Sequence, residues 1–144
     1  MAISRREDIL AALLATLSTV SNVAESRSRF EGATRAEGVV AVLTPDSEDI
    51  IEAAIGANGI VVRRLVVSVE ITARGSIPDQ VADPAVAGCH AAIMADRTLG
   101  GKCTSIDESG LAWDFESADQ DAVRVSRQYA IHYQTRATDD TVAS

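Results

Sequence analysis

Two stretches constrain the fold of this chain more than any others: IVVRRLVVSVEITARG at 60–75 and AVRVSRQYAIHYQTR at 122–136. In the first, Leu65, Val67, Val69, Ile71 and Ala73 share one face of an extended segment. Arg64, Ser68, Glu70, Thr72 and Arg74 lie mainly on the other, with Val66 the exception. In the second, Val123, Val125, Tyr129, Ile131 and Tyr133 alternate with Arg124, Ser126, Gln128, His132 and Gln134. Successive side chains of a strand point to opposite faces, so a period of two predicts two half-buried strands. Both exceed the usual strand length of about five or six residues.

The segments between them supply helices and shorter strands. SRRE at 4–7 is a capping box, in which Ser4 accepts from the Glu7 amide and Glu7 reaches back. Ile9, Leu10, Leu13, Leu14 and Leu17 behind it fall on one face and predict a helix over 4–20. The polar run 21–38 holds at most a short strand around 25–30. GVVAVLTP (38–45), β-branched and closed by Pro45, reads as a strand buried on both faces. DSEDIIEAAIGANG (46–59) leaves two readings open: a helical turn capped by Asp46 or Ser47, or a protruding β-hairpin arm at 46–62. Asn58-Gly59 is a strong hairpin signal and favours the arm.

Asp83-Pro84 offers an N-cap and a proline at the first helical position, predicting a second helix over 84–96 that Leu99-Gly100-Gly101 ends. Its alanines and Gly88 let it lie close to a sheet. KCTSIDES (102–109), leading to Gly110, and WDFES (113–117) read as two strands, with Trp113 and Phe115 anchoring the second in the core. The expected order is α-β-(β)-β-α-β-β-β. That describes an α+β fold, a mostly antiparallel β-sheet with two α-helices packed on one face. It suits a single domain over 1–137, with a flexible tail at 138–144.

Composition narrows the function. Apolar residues make up 47% of the chain but aromatics only 3%, so the core is aliphatic. The net charge of −8 argues against a nucleic-acid binder, whose affinity comes largely from neutralising phosphates with Lys and Arg. No apolar run reaches the roughly 20 residues that span a bilayer. Cys89 and Cys103 have no CxxC spacing and read as small buried hydrophobes in a cytosolic protein. His90 and Cys89 are adjacent on a helix and point about 100° apart, too far to close on one metal. His132 belongs to the polar face of the last strand. The acidic run from Asp107 to Asp121 holds six carboxylates and no Lys or Arg. It lacks the spacing of a calcium loop. Its wet surroundings also lack the apolar pocket that a catalytic carboxyl pair needs. No enzymatic motif and no cofactor site stand out, and the acids read as an outward-facing surface.

The ordered features of the C-terminal half carry a family likeness. Met94, Asp96 and Leu99 close a helix; Ser109-Gly110 makes a turn; Trp113 to Glu116 form an aromatic-acidic strand. Asp119, Asp121 and Ala122 form an acidic turn, and a long strand ends on Tyr129, Ile131 and Tyr133. Together with REDILAALLATL, GVVAVLTP and RRLVVSVEI, this set resembles the tail terminator proteins of long-tailed, non-contractile, lambda-like bacteriophages. The likeness spans most of the chain, with 46–59 departing from it. The resemblance implies a virion structural protein without enzymatic activity or cofactor, assembled in the host cytoplasm. It implies a hexameric ring on the head-proximal end of the tail tube that stops tube polymerisation and meets the head-completion protein. DNA would pass through the lumen without specific binding. Other readings are a different head–tail connector or tail-completion component, and a small intracellular ligand-binding α+β domain. The candidate protein-interface residues are Asp114, Glu116, Asp119 and Asp121, with Arg64 and Arg74 on the first long strand.

Overall fold

In the computed structural model the two long alternating stretches lie side by side at the centre of one sheet. The structure describes residues 3–20, 23–27, 39–53, 59–116, 121–137, 139 and 141. The elements in order are α1 (Arg5–Leu17), β1 (Ala24–Ser26), β2 (Val40–Ala53), β3 (Ile60–Arg74), α2 (Pro78–Met94), β4 (Ser105–Glu116) and β5 (Ala122–Arg136). The sheet order is β1-β2-β3-β5-β4. All pairings are antiparallel except the short parallel contact of β1 with β2. The chain is therefore α+β, mostly antiparallel sheet, with both helices contributing to one core on one sheet face.

β3 and β5 pair without a register shift from Ile60 opposite Arg136 to Arg74 opposite Ala122. This unbroken ladder puts Leu65, Val67, Val69, Ile71 and Ala73 beside Ile131, Tyr129, Val125 and Val123 on the inner face. These side chains are at most 3% exposed. Burying each aliphatic chain contributes about 1.5–3 kcal/mol. α2 lies over β3 and β5, and α1 lies against β2 and α2. Ala82, Ala85, Cys89 and Ile93 form the buried stripe of α2. A Cβ at Gly88 would come within 3.2 Å of Val20 Cγ1, so glycine permits the close approach of the chain just after α1.

Several expectations need correction. Helix α2 begins at Pro78, a full turn and a half before the predicted start, and Pro84 sits inside it. Pro78 fills the first-turn position that an N–H-less residue suits, while Pro84 is exposed and costs the helix one internal hydrogen bond. Pro45 does not end its strand. β2 continues to Ala53, with a register shift between Pro45 and Ser47. β1 reaches only as far as Val42, so Pro45 stands on an open edge and at a bulge, the two places a sheet tolerates proline. Residues 46–53 accordingly adopt the strand reading and not the helical turn, while 54–58 lie outside the described residues. Ser109-Gly110 makes no turn: the two expected strands are one, β4, with a bulge between Glu108 and Gly110. The predicted cap of α1 is present, with Ser4 Oγ accepting from the Glu7 amide at 3.0 Å. The Glu7 carboxylate, however, accepts from Arg27, at 2.5 and 3.2 Å.

One polar group ties α1 to the sheet. Glu48, on the inner face of β2, accepts from Arg6 Nε at 3.1 Å and Arg6 Nη2 at 2.7 Å. It also accepts from the Tyr133 hydroxyl, and Arg63 Nη1 lies 3.6 Å away. Burial pushes the Glu48 carboxyl up. The hydrogen bonds from Arg6 and Tyr133 and the charges of Arg6 and Arg63 outweigh that and hold it below its ordinary 4.5. A carboxyl held low stabilises the fold above its unfolded pKa, and that stabilisation is lost as pH falls through the folded value. Glu48→Gln should therefore lower unfolding free energy at pH 7 by about 2 kcal/mol. The deficit should shrink as pH falls below 4.5 and through the lowered folded value, where the parent loses its own charge; denaturant titrations at pH 7 and across the acid range give the measurement.

Candidate interaction surface

β4 is an outer strand of the sheet, paired with β5 on one side only. Beyond its bulge, Leu111 lies opposite Arg127, Trp113 opposite Val125 and Phe115 opposite Val123. Directly paired residues share a face, so Trp113 and Phe115 point to the same side as the core. The core stops short of them: Val123 and Val125 are 1% and 2% exposed, but Trp113 is 54% and Phe115 59% exposed. The expectation that these rings anchor the strand in the core is corrected. Alternation set their face as expected, but the helices cover β2, β3 and β5 and leave this half of β4 bare.

Two further apolar side chains stand at the same end of the molecule. Phe115 is one register step from the end of the sheet, where Arg74 faces Ala122 and the Gly75 amide donates to the Asp121 carbonyl at 3.0 Å. The chain then leads directly to Ile77, 55% exposed, and Val81, 45% exposed, at the start of α2. A single exposed aliphatic residue means little; two aromatics on a sheet edge, with two exposed aliphatics toward the same end, suggest an interaction surface.

The sequence-chosen interface residues divide between the two ends of the sheet. Asp114 lies across from Arg124, whose Nη2 donates to Glu116 Oε1 at 3.0 Å and whose Nε is 3.8 Å from Glu70. Asp121 is exposed beside them, and Arg74, half-buried, has a buried Nε with no hydrogen-bond partner. These four residues gather at the end of the sheet where Trp113 and Phe115 stand. Arg64 does not join them, since ten strand positions separate it from Arg74, roughly 33 Å at the strand rise. It donates to Asp49 at 3.2 Å instead. Asp119 lies outside the described residues.

The histidines and cysteines are engaged in structure. His90 Nδ1 is 2.9 Å from the Tyr129 hydroxyl, the two rings stack at 5.8 Å, and His90 Nε2 is 3.4 Å from Glu108. This contact, unforeseen in the sequence, links α2 to β5 and β4. Burial above all pushes the Tyr129 phenol up to about 12, so it keeps its proton and remains a hydrogen-bond donor. Ser105, His132 and Asp107 also meet, on the outer face, and a Ser-His-Asp set invites comparison with a hydrolytic triad. Ser105 Oγ and Asp107 Oδ2 approach the same ring nitrogen of His132, at 3.4 and 3.8 Å. A triad needs the carboxylate on one ring nitrogen and the nucleophile on the other, so this set lacks the required geometry. Both cysteines are free and buried. Burial raises each thiol to about 11, the opposite of what a reactive thiolate needs. Among the described residues, no group of three or more His, Cys, Asp or Glu side chains is placed to hold a metal ion. A polar cleft of about 160 Å³ lies between Arg5, Lys102, Thr104 and Gln134, far from the exposed aromatics.

The chain matches no protein-family model and no curated protein sequence.

The exposure of the only tryptophan gives a direct check. In the isolated protein, Trp113 emission should be red-shifted and readily quenched by acrylamide. Trp113→Ala and Phe115→Ala should each change unfolding free energy by less than about 0.5 kcal/mol, as surface substitutions do. A loss of about 3–5 kcal/mol, typical of an aromatic deleted from a core, would contradict the placement.

Proposed function

We propose that this chain is a structural protein of a phage virion, a tail terminator that closes the head-proximal end of the tail tube as a hexameric ring. In this reading it halts tube polymerisation and presents the joining surface to the head-completion protein. The observation that carries it is the bare half of β4. The folded chain offers Trp113 and Phe115 on an open edge, which is how a surface meant for another protein is built. The likeness to lambda-like tail terminators, spread over most of the chain, supports reading that partner assembly as a phage tail.

The electrostatics fit such a role. A closed ring needs head-to-tail contacts between unlike patches, and the two ends of this sheet differ. One end carries Asp114, Glu116 and Asp121 with Arg74, Arg124, Trp113 and Phe115; the other carries Arg63, Arg64 and Arg136 with Glu48, Asp49, Glu52, Ile50 and Ile60. The net charge of −8 disfavours adhesion of DNA moving through a lumen, because like charges repel.

Electron microscopy of tails assembled without this protein tests the function. Tubes of uncontrolled, excessive length are expected, and addition of the purified protein should restore a fixed length. Tubes of normal length in its absence would sink the reading.

A further inference from the structure

An edge strand leaves a row of backbone N–H and C=O groups without partners, and proteins usually guard such rows with proline, lysine, bulges or a covering element. The described part of this sheet has two long open edges. One is β2 beyond Val42, where β1 ends; the other is β4. β2 is guarded by Pro45 and a bulged Asp46. In β4 the only irregularity lies between Glu108 and Gly110, and Leu111–Glu116 (LAWDFE) runs on with regular pairing. That segment has no proline, no glycine and no lysine. Its backbone edge and its apolar inner face are therefore open together.

Charge decides what can add there. From 105 to 116 the strand carries Asp107, Glu108, Asp114 and Glu116 and no Lys or Arg. The open stretch of β2, 43–53, carries Asp46, Glu48, Asp49 and Glu52, again with no cation. Pairing β4 with a second β4, or with the β2 edge of another copy, sets carboxylates beside carboxylates, and like charges across strands are destabilising. Arg124 offsets part of the charge at this end but sits on β5, on the side away from the open edge. Both edges of this chain thus disfavour a second copy of themselves.

We propose that the Leu111–Glu116 half of β4 is the docking edge for an extended, basic segment of a different protein, which adds a strand to the sheet. Alternate side chains of the incoming strand divide between the two faces. Apolar ones lie over Trp113 and Phe115, and lysines or arginines lie beside Asp114 and Glu116. The proposal gives the partner chemistry of the surface described above and rests on that assembly reading; it also places ring contacts between copies elsewhere than edge to edge.

The probe is a short peptide alternating valine with lysine, compared with one alternating valine with glutamate. Trp113 is the only tryptophan and lies within the proposed footprint, so its emission reports binding directly. The lysine peptide should produce a saturable blue shift that weakens with salt. The glutamate peptide should bind roughly tenfold more weakly or not at all, as opposed like charges require. In the double variant Asp114→Lys, Glu116→Lys the preference should reverse, with circular dichroism confirming the fold. No shift with the lysine peptide, equal response to both peptides, or an unchanged preference in the double variant would overturn the proposal. Binding by a protein that never forms rings would uphold the docking edge and sink the ring; rings that ignore the peptide would do the reverse.

Discussion

The ladder between β3 and β5 is the constraint from which the rest of the molecule follows. Fifteen consecutive pairs without a bulge leave each side chain only one possible face. A shift of one residue would turn Leu65, Val67, Tyr129 and Ile131 toward water and Arg64 and His132 into the core. The inner face so defined has to be covered, and two helices of 13 and 17 residues do it. At 1.5 Å per residue the longer of them reaches about 25 Å, against roughly 50 Å for a fifteen-residue strand. Helices of this size cannot cover a sheet of this span, so part of its inner face stays bare. Uncovered parts fall on β4 and at the far end of β2, where Ile50 is 61% exposed, and the candidate surface is the first of them.

The features legible in the sequence were those governed by local periodicity. The alternation in β3 and β5 predicted their faces residue by residue, and the leucine spacing behind Ser4 predicted α1. The start of α2 was hidden because two prolines competed for it. Pro84 follows a good capping residue, Asp83, whereas Pro78 follows Ile77, which makes no side-chain cap. Packing of Ala82 and Ala85 against the sheet outweighed capping chemistry. The Ser109-Gly110 pair has turn composition, but with nothing beside it on the open edge it needed only to bulge. The exposure of Trp113 and Phe115 was not legible at all. Alternation tells which face a side chain occupies, and only the order of strands in space tells whether that face is covered. The one available hint was the absence of any cation among six carboxylates, which marked the strand as facing outward.

The acidic cluster therefore takes its meaning from its neighbours. Arg124 binds Glu116, Arg97 binds Asp107 and Arg127 lies near Glu108, so part of the charge is met within the molecule. What remains accompanies exposed aromatic rings along an edge with free backbone groups. Each of these features alone is common on protein surfaces. Their coincidence on six residues of one strand is what gives the molecule a face suited to a partner, with apolar area for affinity and carboxylates for selection. Glu48 plays a different part with the same chemistry. Held by Arg6 and Tyr133 under α1, it fixes the helix to the sheet and takes no share in the surface.

Amide hydrogen exchange across 105–116, compared between the isolated protein and the protein mixed with the tail tubes proposed as its partner, tests this account most directly. Alternate amides of the outer strand face water and should exchange quickly in the isolated chain. The account predicts that those of Leu111 to Glu116 become protected on assembly. Unchanged exchange in this strand, with protection appearing on other surfaces, would contradict it.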